Sequence, residues 1–235
     1  MSEQKKVLVL GIGNILWADE GFGVRVLETL QRHYAFPDNV TLLDGGTQGV
    51  YLVQDVRDAD ILIVFDAIDY GLEPGTMKVI INEDVPKYMG AKKVSLHQTG
   101  FQEVLALAEM MGDYPEQIVL IGVQPECIED FGGSLRPVVK AQIQSAIDEA
   151  LKFMDAQGIA YRKRDKPLEI DATDEDAILD MDKYEQGRPS EEEACRLGDE
   201  RILASKMFQV VAPDLPKVGD CPVQVGVDQH LDKYR

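Results

Sequence analysis

Cysteine is scarce: Cys127, Cys195 and Cys221 are the only three in 235 residues. An odd number at wide spacing argues against a disulfide framework and a zinc ribbon. Basic residues are also few. Lys and Arg number 24 against 42 Asp and Glu, a formal net charge of -18. So acidic a chain suits neither a phosphate backbone nor an anionic membrane, both of which reward positive charge. Long hydrophobic runs are missing as well. The stretch after M-S-E-Q-K-K is apolar only from Val7 to Ile12, too short to span a bilayer, and its Gly-rich end is no cleavage site. These shortages lead us to expect a reduced, cytoplasmic protein without a nucleic-acid partner or membrane insertion. Two hydrolase signatures are absent, G-x-S-x-G and H-E-x-x-H, which removes a serine elbow and a two-histidine zinc helix. Cys127, in Gln124-Pro125-Glu126-Cys127, has no nucleophile signature around it.

What is present is alternation. Strand-like runs occupy 7–12, 40–43, 61–65, 76–81 and 118–123, continuous and apolar as strands covered on both faces should be. Between them, Val24, Leu27, Leu30 and Tyr34 recur at helical spacing, as do Val50, Val53 and Val56. Phe101, Val104, Leu105 and Ala108 do so behind a Thr99–Gln102 capping-box pair, and Val139, Ile143, Ile147, Ala150 and Met154 run to a stop near Gly158. Glu73-Pro74-Gly75 marks a turn before the fourth strand. The pattern predicts a three-layer α/β/α domain over 1–158, its five-stranded sheet mostly parallel with helices on both faces. Residues 159–235 differ. Eleven acidic residues between Glu169 and Glu193 face only Lys183 and Arg188, and prolines stand at 213, 216 and 222. Composition predicts an extension that is largely irregular or wrapped over the domain, with a short helix over Glu191–Leu203 as its regular element.

Gly11-Ile12-Gly13-Asn14 opens like a dinucleotide fingerprint, and Asp44 ends the second strand where that motif places a ribose ligand. Position 16, however, is Leu instead of the third glycine, and Asp19 and Glu20 would repel a phosphate at the helix start. Nucleotide binding is disfavoured.

Glu20, Asp66 and His97 hold more interest. Each lies just past a strand or just ahead of a helix, so side-by-side parallel strands would bring them to one end of the sheet. Asp19 and Glu20 also suit a plain helix start. Asp66 directly follows the buried run ending in Phe65, where a carboxylate must be hydrogen-bonded, paired or bound to a cation. Of the other histidines, His33 falls at a helix end and His230 in the extension. Two carboxylates and an imidazole would make an open site for a borderline divalent ion.

Five strings, in order, resemble the hydrogenase maturation endopeptidases: G-I-G-N-I-L-W-A-D-E-G-F-G-V, D-G-G-T-Q-G, V-F-D-A-I-D-Y-G, L-H-Q-T-G-F-Q-E-V-L and I-G-V-Q-P. D-G-G-T-Q-G and H-Q-T-G-F-Q are closest to the subgroup serving membrane-bound or uptake [NiFe] hydrogenases. The likeness covers about residues 1–158 and says nothing of the extension. It implies an endopeptidase that removes the carboxyl-terminal extension of the hydrogenase large-subunit precursor once nickel is inserted. It also implies nickel contacts at Glu20, Asp66 and His97, the metal being supplied by the substrate and replaceable by a surrogate divalent ion. Either nickel polarises the scissile carbonyl or activates a water, or it only orients the chain and Asp66, Asp44 or Asp19 acts as the base. We expect Asp66 to take part directly, as in an aspartyl protease, with Glu20 and His97 as recognition ligands. Gly45, Gly46 and Thr47 either offer backbone donors to the bound peptide or form a plain glycine turn. The alternative is a non-catalytic, nickel-dependent assembly chaperone for the same precursor.

Overall fold

The computed structural model describes residues 4–86, 96–168 and 181–187, and the side chains of all of these but 96–99. Five strands form one sheet: β1 (Val7–Ile12), β3 (Val40–Gly46), β4 (Ile61–Ala67), β5 (Met77–Ile81) and β6 (Gln117–Val123). Their order is β3-β1-β4-β6-β5. The first four run parallel, and β5 is antiparallel to β6 at the edge. Gly75, with φ +78°, makes the expected turn into β5, the Thr76 N–H donating to the Glu73 carbonyl at 3.0 Å.

Alternation along the strands builds the layers. Val7, Val9, Ile61, Ile63, Phe65, Val119 and Ile121 face one way. They pack against α1 (Phe22–His33) and α5 (Ile143–Gln157). Leu8, Leu10, Leu62, Val64, Ile118 and Leu120 face the other way, against α2 (Val53–Arg57) and α3 (Leu96–Met111). Each such side chain contributes roughly 1.5–3 kcal/mol by leaving water. This is the three-layer α/β/α arrangement expected from the alternating pattern.

Departures from expectation are local. The last long helix is divided: α4 (Pro137–Lys140) opens on a proline at its first position and α5 restarts at Ile143. Gly158, in the left-handed conformation, ends α5, as glycine can without steric penalty. α3 begins at Leu96, so Thr99 lies within it and does not cap it. A two-stranded pairing of β2 (Tyr34–Ala35) with β7 (Arg162–Lys163) ties the start of the extension to the end of α1. Within the stretch expected to be irregular, Met181–Gly187 forms the short helix α6. The helix expected over Glu191–Leu203 lies outside the described residues. Among the described residues no helix is long and apolar enough to cross a membrane.

Candidate active site

In sheet order, β3 and β4 flank β1 on opposite sides. Chain direction across the sheet therefore reverses beside β1, and the crevice beyond the carboxyl ends of these strands is where ligands collect in such folds. Asp66 is the penultimate residue of β4, paired with Gly122 of β6, and fully buried. Strand alternation puts it on the Leu62–Val64 side, the side that α3 covers. His97 falls in the first turn of α3. Three residues on, a Cβ on Gly100 would sit 3.2 Å from the Cα of Gly49, just beyond β3. The amino terminus of α3 is thereby placed at the carboxyl end of the sheet. The imidazole of His97 lies outside the described residues.

Glu20 is half-buried in a tight turn, Ala18–Gly21, between β1 and α1. Two glycines press this turn onto the strand ends. A Cβ on Gly13 (φ +136°) would lie 1.8 Å from the Glu20 carbonyl oxygen. A Cβ on Gly23 would lie 2.2 Å from the Phe65 carbonyl oxygen and 2.3 Å from that of Ile12. Backbone meets backbone here, which only glycine allows. The opening Gly-x-Gly thus serves helix–sheet packing, consistent with the case against a phosphate cradle.

Asp19 corrects the helix-start reading. Gly21 holds the cap position of α1, and no side chain caps that helix. The Asp19 carboxylate is instead buried and accepts three backbone N–H bonds from the loop after β6. Glu126 and Cys127 donate to one oxygen, both at 2.8 Å, and Arg136 to the other at 2.7 Å. The Asp19 N–H returns a bond to the Cys127 carbonyl at 3.1 Å, and the Gly132 N–H donates to the Leu16 carbonyl at 2.7 Å. Trp17 meets Phe131 edge-on, ring centroids 5.2 Å apart. With its carboxylate so engaged, Asp19 holds the Glu20 turn and is not placed to act as a base. Cys127 is half-buried in the same loop; the one described histidine side chain, His33, closes α1 toward the opposite end of the sheet.

The Asp44–Thr47 turn is similarly self-contained. The Asp44 carboxylate accepts the Gly46 N–H at 2.8 Å, the Gly46 carbonyl accepts the Gly13 N–H at 3.0 Å, and the Gly45 carbonyl accepts the Gln48 N–H at 3.0 Å. The Gly46 N–H is thus already engaged, against the expectation that it donates to a peptide. Thr47 is exposed. Gly13, Asn14, Asp44, Gly46 and Thr47 line a cleft of about 160 Å³ at the ends of β1 and β3.

Gln124 was not singled out from the sequence. Its buried amide accepts the Tyr70 and Leu72 N–H groups at 2.8 and 3.1 Å, and donates to Asp69 at 3.0 Å and the Pro125 carbonyl at 3.2 Å. It fastens the loop after β4 to the end of β6. Its place directly after an apolar strand was the available signal. Among the described residues no three His, Cys, Asp or Glu form a group able to hold a metal. The Glu20 and Asp66 carboxylates alone are hard oxygen donors, so a borderline ion would need the imidazole.

Residues 24–153 match the family model described as hydrogenase maturation protease. The chain is 56% identical over 216 residues to the hydrogenase expression/formation protein HupD of Thiocapsa roseopersicina, covering 92% of this chain and 98% of the relative. It is 41% identical over 155 residues to the hydrogenase 2 maturation protease of Escherichia coli K12, covering 66% of this chain and 93% of that one. Among solved structures, the hydrogenase maturating endopeptidase HybD of E. coli aligns with a TM-score of 0.65 at 40% identity, covering 68% of this chain and 98% of the other. Fold, switch-point crevice and sequence agree: the chain belongs to the hydrogenase maturation protease family and is a peptide hydrolase.

Proposed function

We propose that the protein cleaves the carboxyl-terminal extension from the precursor of a [NiFe] hydrogenase large subunit after nickel insertion, and that it recognises the nickel the precursor carries. The observation that carries this reading is the arrangement at the carboxyl end of the sheet. The Glu20 turn, Asp66 at the end of β4 and the first turn of α3 with His97 all lie there. Nickel is part of the substrate in this scheme. Two carboxylates and an imidazole would leave coordination positions for precursor thiolates, so the shared site would be far stronger than either half. A precursor without metal would bind weakly, which makes metal loading the condition for processing.

In the reaction, Glu20 and His97 hold the loaded precursor and Asp66 takes a proton from the attacking water. The water oxygen adds to the scissile carbonyl carbon, the C–N bond breaks, and the proton passes to the leaving amine. Complete burial of Asp66 strengthens its interaction with a nearby cation, because the local dielectric is low. The cleft between β1 and β3 gives the substrate strand a course across the strand ends.

Nickel-loaded and nickel-free precursor, incubated separately with the protein and weighed by mass spectrometry, test this. Shortening of the loaded form alone is expected. Equal shortening of both defeats nickel recognition. Nickel-dependent complex formation with the precursor tail intact would instead favour the chaperone reading.

A further inference from the structure

The extension reaches back to the site loop. Helix α6 is held through three of its residues. The Glu185 carboxylate accepts bonds from the Ser134 hydroxyl at 2.7 Å and the Lys140 ammonium at 2.6 Å. The Tyr184 ring lies 5.5 Å from the buried Arg25 guanidinium. Met181 packs on the core shared by α1 and α5. Burial pushes the Glu185 carboxyl up, but its bonds from Lys140 and Ser134, with the charges of Lys140 and Arg25, outweigh this and hold it below its ordinary value. Ser134 belongs to the loop after β6, and Lys140 to the helix that follows it. That same loop supplies the three N–H groups that hold Asp19, directly before Glu20.

We propose that Glu185 is a positioning residue. Through Ser134 and Lys140 it fixes the loop over 124–136, and through Asp19 that loop fixes the orientation of Glu20. The Thiocapsa protein matches over 216 of 235 residues, a span that includes Met181–Gly187.

The effect on catalysis rests on the reading of Glu20 as a substrate-metal ligand; the brace itself does not. The full-length chain, E185Q, the exposed-charge control D182N and the exchange K140E/E185K are compared by amide hydrogen exchange of peptides spanning 17–21 and 125–136, without substrate. They are then compared in precursor cleavage. E185Q should exchange roughly three- to tenfold faster in both peptides, D182N at the wild-type rate, and the exchange variant should recover in part, because its new ammonium at 185 faces the Arg25 guanidinium. In cleavage, E185Q should raise KM about three- to tenfold at nearly unchanged kcat, since a recognition ligand is displaced. A mere loss of folded protein would lower kcat at unchanged KM. Unchanged exchange in E185Q overturns the brace. Faster exchange with wild-type KM, or with kcat alone reduced, overturns the positioning role. If the wild-type chain cleaves no precursor, the functional reading fails and the exchange data alone decide the brace.

Discussion

The two ends of the sheet handle charge in opposite ways. At the amino end, charges lie at the surface: Lys5 pairs with Glu116 at 2.7 Å and Arg57 with Asp113, and the Asp60 carboxylate accepts the backbone N–H of Lys6 at 2.7 Å. Such exposed pairs contribute little each, because solvent screens them. At the carboxyl end, Asp19 and Asp66 are fully buried, and the elements bearing Asp19 and Glu20 are pinned by backbone donors and glycine contacts. At the amino end charge stays hydrated. At the carboxyl end it is carried into the interior, where it must be hydrogen-bonded or paired, as Asp19 is by three backbone donors.

That contrast can be broken or sharpened. The largest effect belongs to the carboxyl end: Asp66→Asn and His97→Ala should each lower precursor cleavage by about 10²–10⁴-fold while the thermal transition stays cooperative. Cleavage at the wild-type rate by either variant would remove that residue from the site. Next, Asp19→Ala leaves buried N–H donors without their carboxylate and should cost about 3–5 kcal/mol in denaturant unfolding. A loss below about 1 kcal/mol would show that the loop holds without it. Gly13→Ala should cost roughly 1–3 kcal/mol and depress cleavage as well, since relieving the clash with the Glu20 carbonyl displaces that turn. A variant destabilised with wild-type KM would separate packing from function. The smallest effect is at the amino end, where Arg57→Ala should alter stability by about 1 kcal/mol or less and leave cleavage unchanged.

Much of the scaffold was readable because its signals are local. Runs such as Ile61–Phe65 are apolar along one continuous stretch, so strand and burial announce themselves together. The position of β5 was not readable, nor was its reversed direction, since partner choice is a property of distant segments. Asp66 stood out because a carboxylate in an apolar strand demands an explanation. Asp19 was misread for the opposite reason. A helix-start role accounted for it locally, while its true donors lie 107 to 117 residues away. Helix α6 escaped notice because its seven residues are mostly polar, and the groups that hold it, Ser134, Lys140 and Arg25, are remote in sequence.

The close approach of Gly23 to the Phe65 and Ile12 carbonyl oxygens has a thermodynamic corollary. No side-chain layer separates the start of α1 from the two central strands, so the adjoining turn has little slack to lose when a client arrives. Its conformational entropy is surrendered as the chain folds instead of at encounter. Discrimination between clients then falls to the chemistry each one presents, with little contribution from how readily the enzyme can mould itself around them.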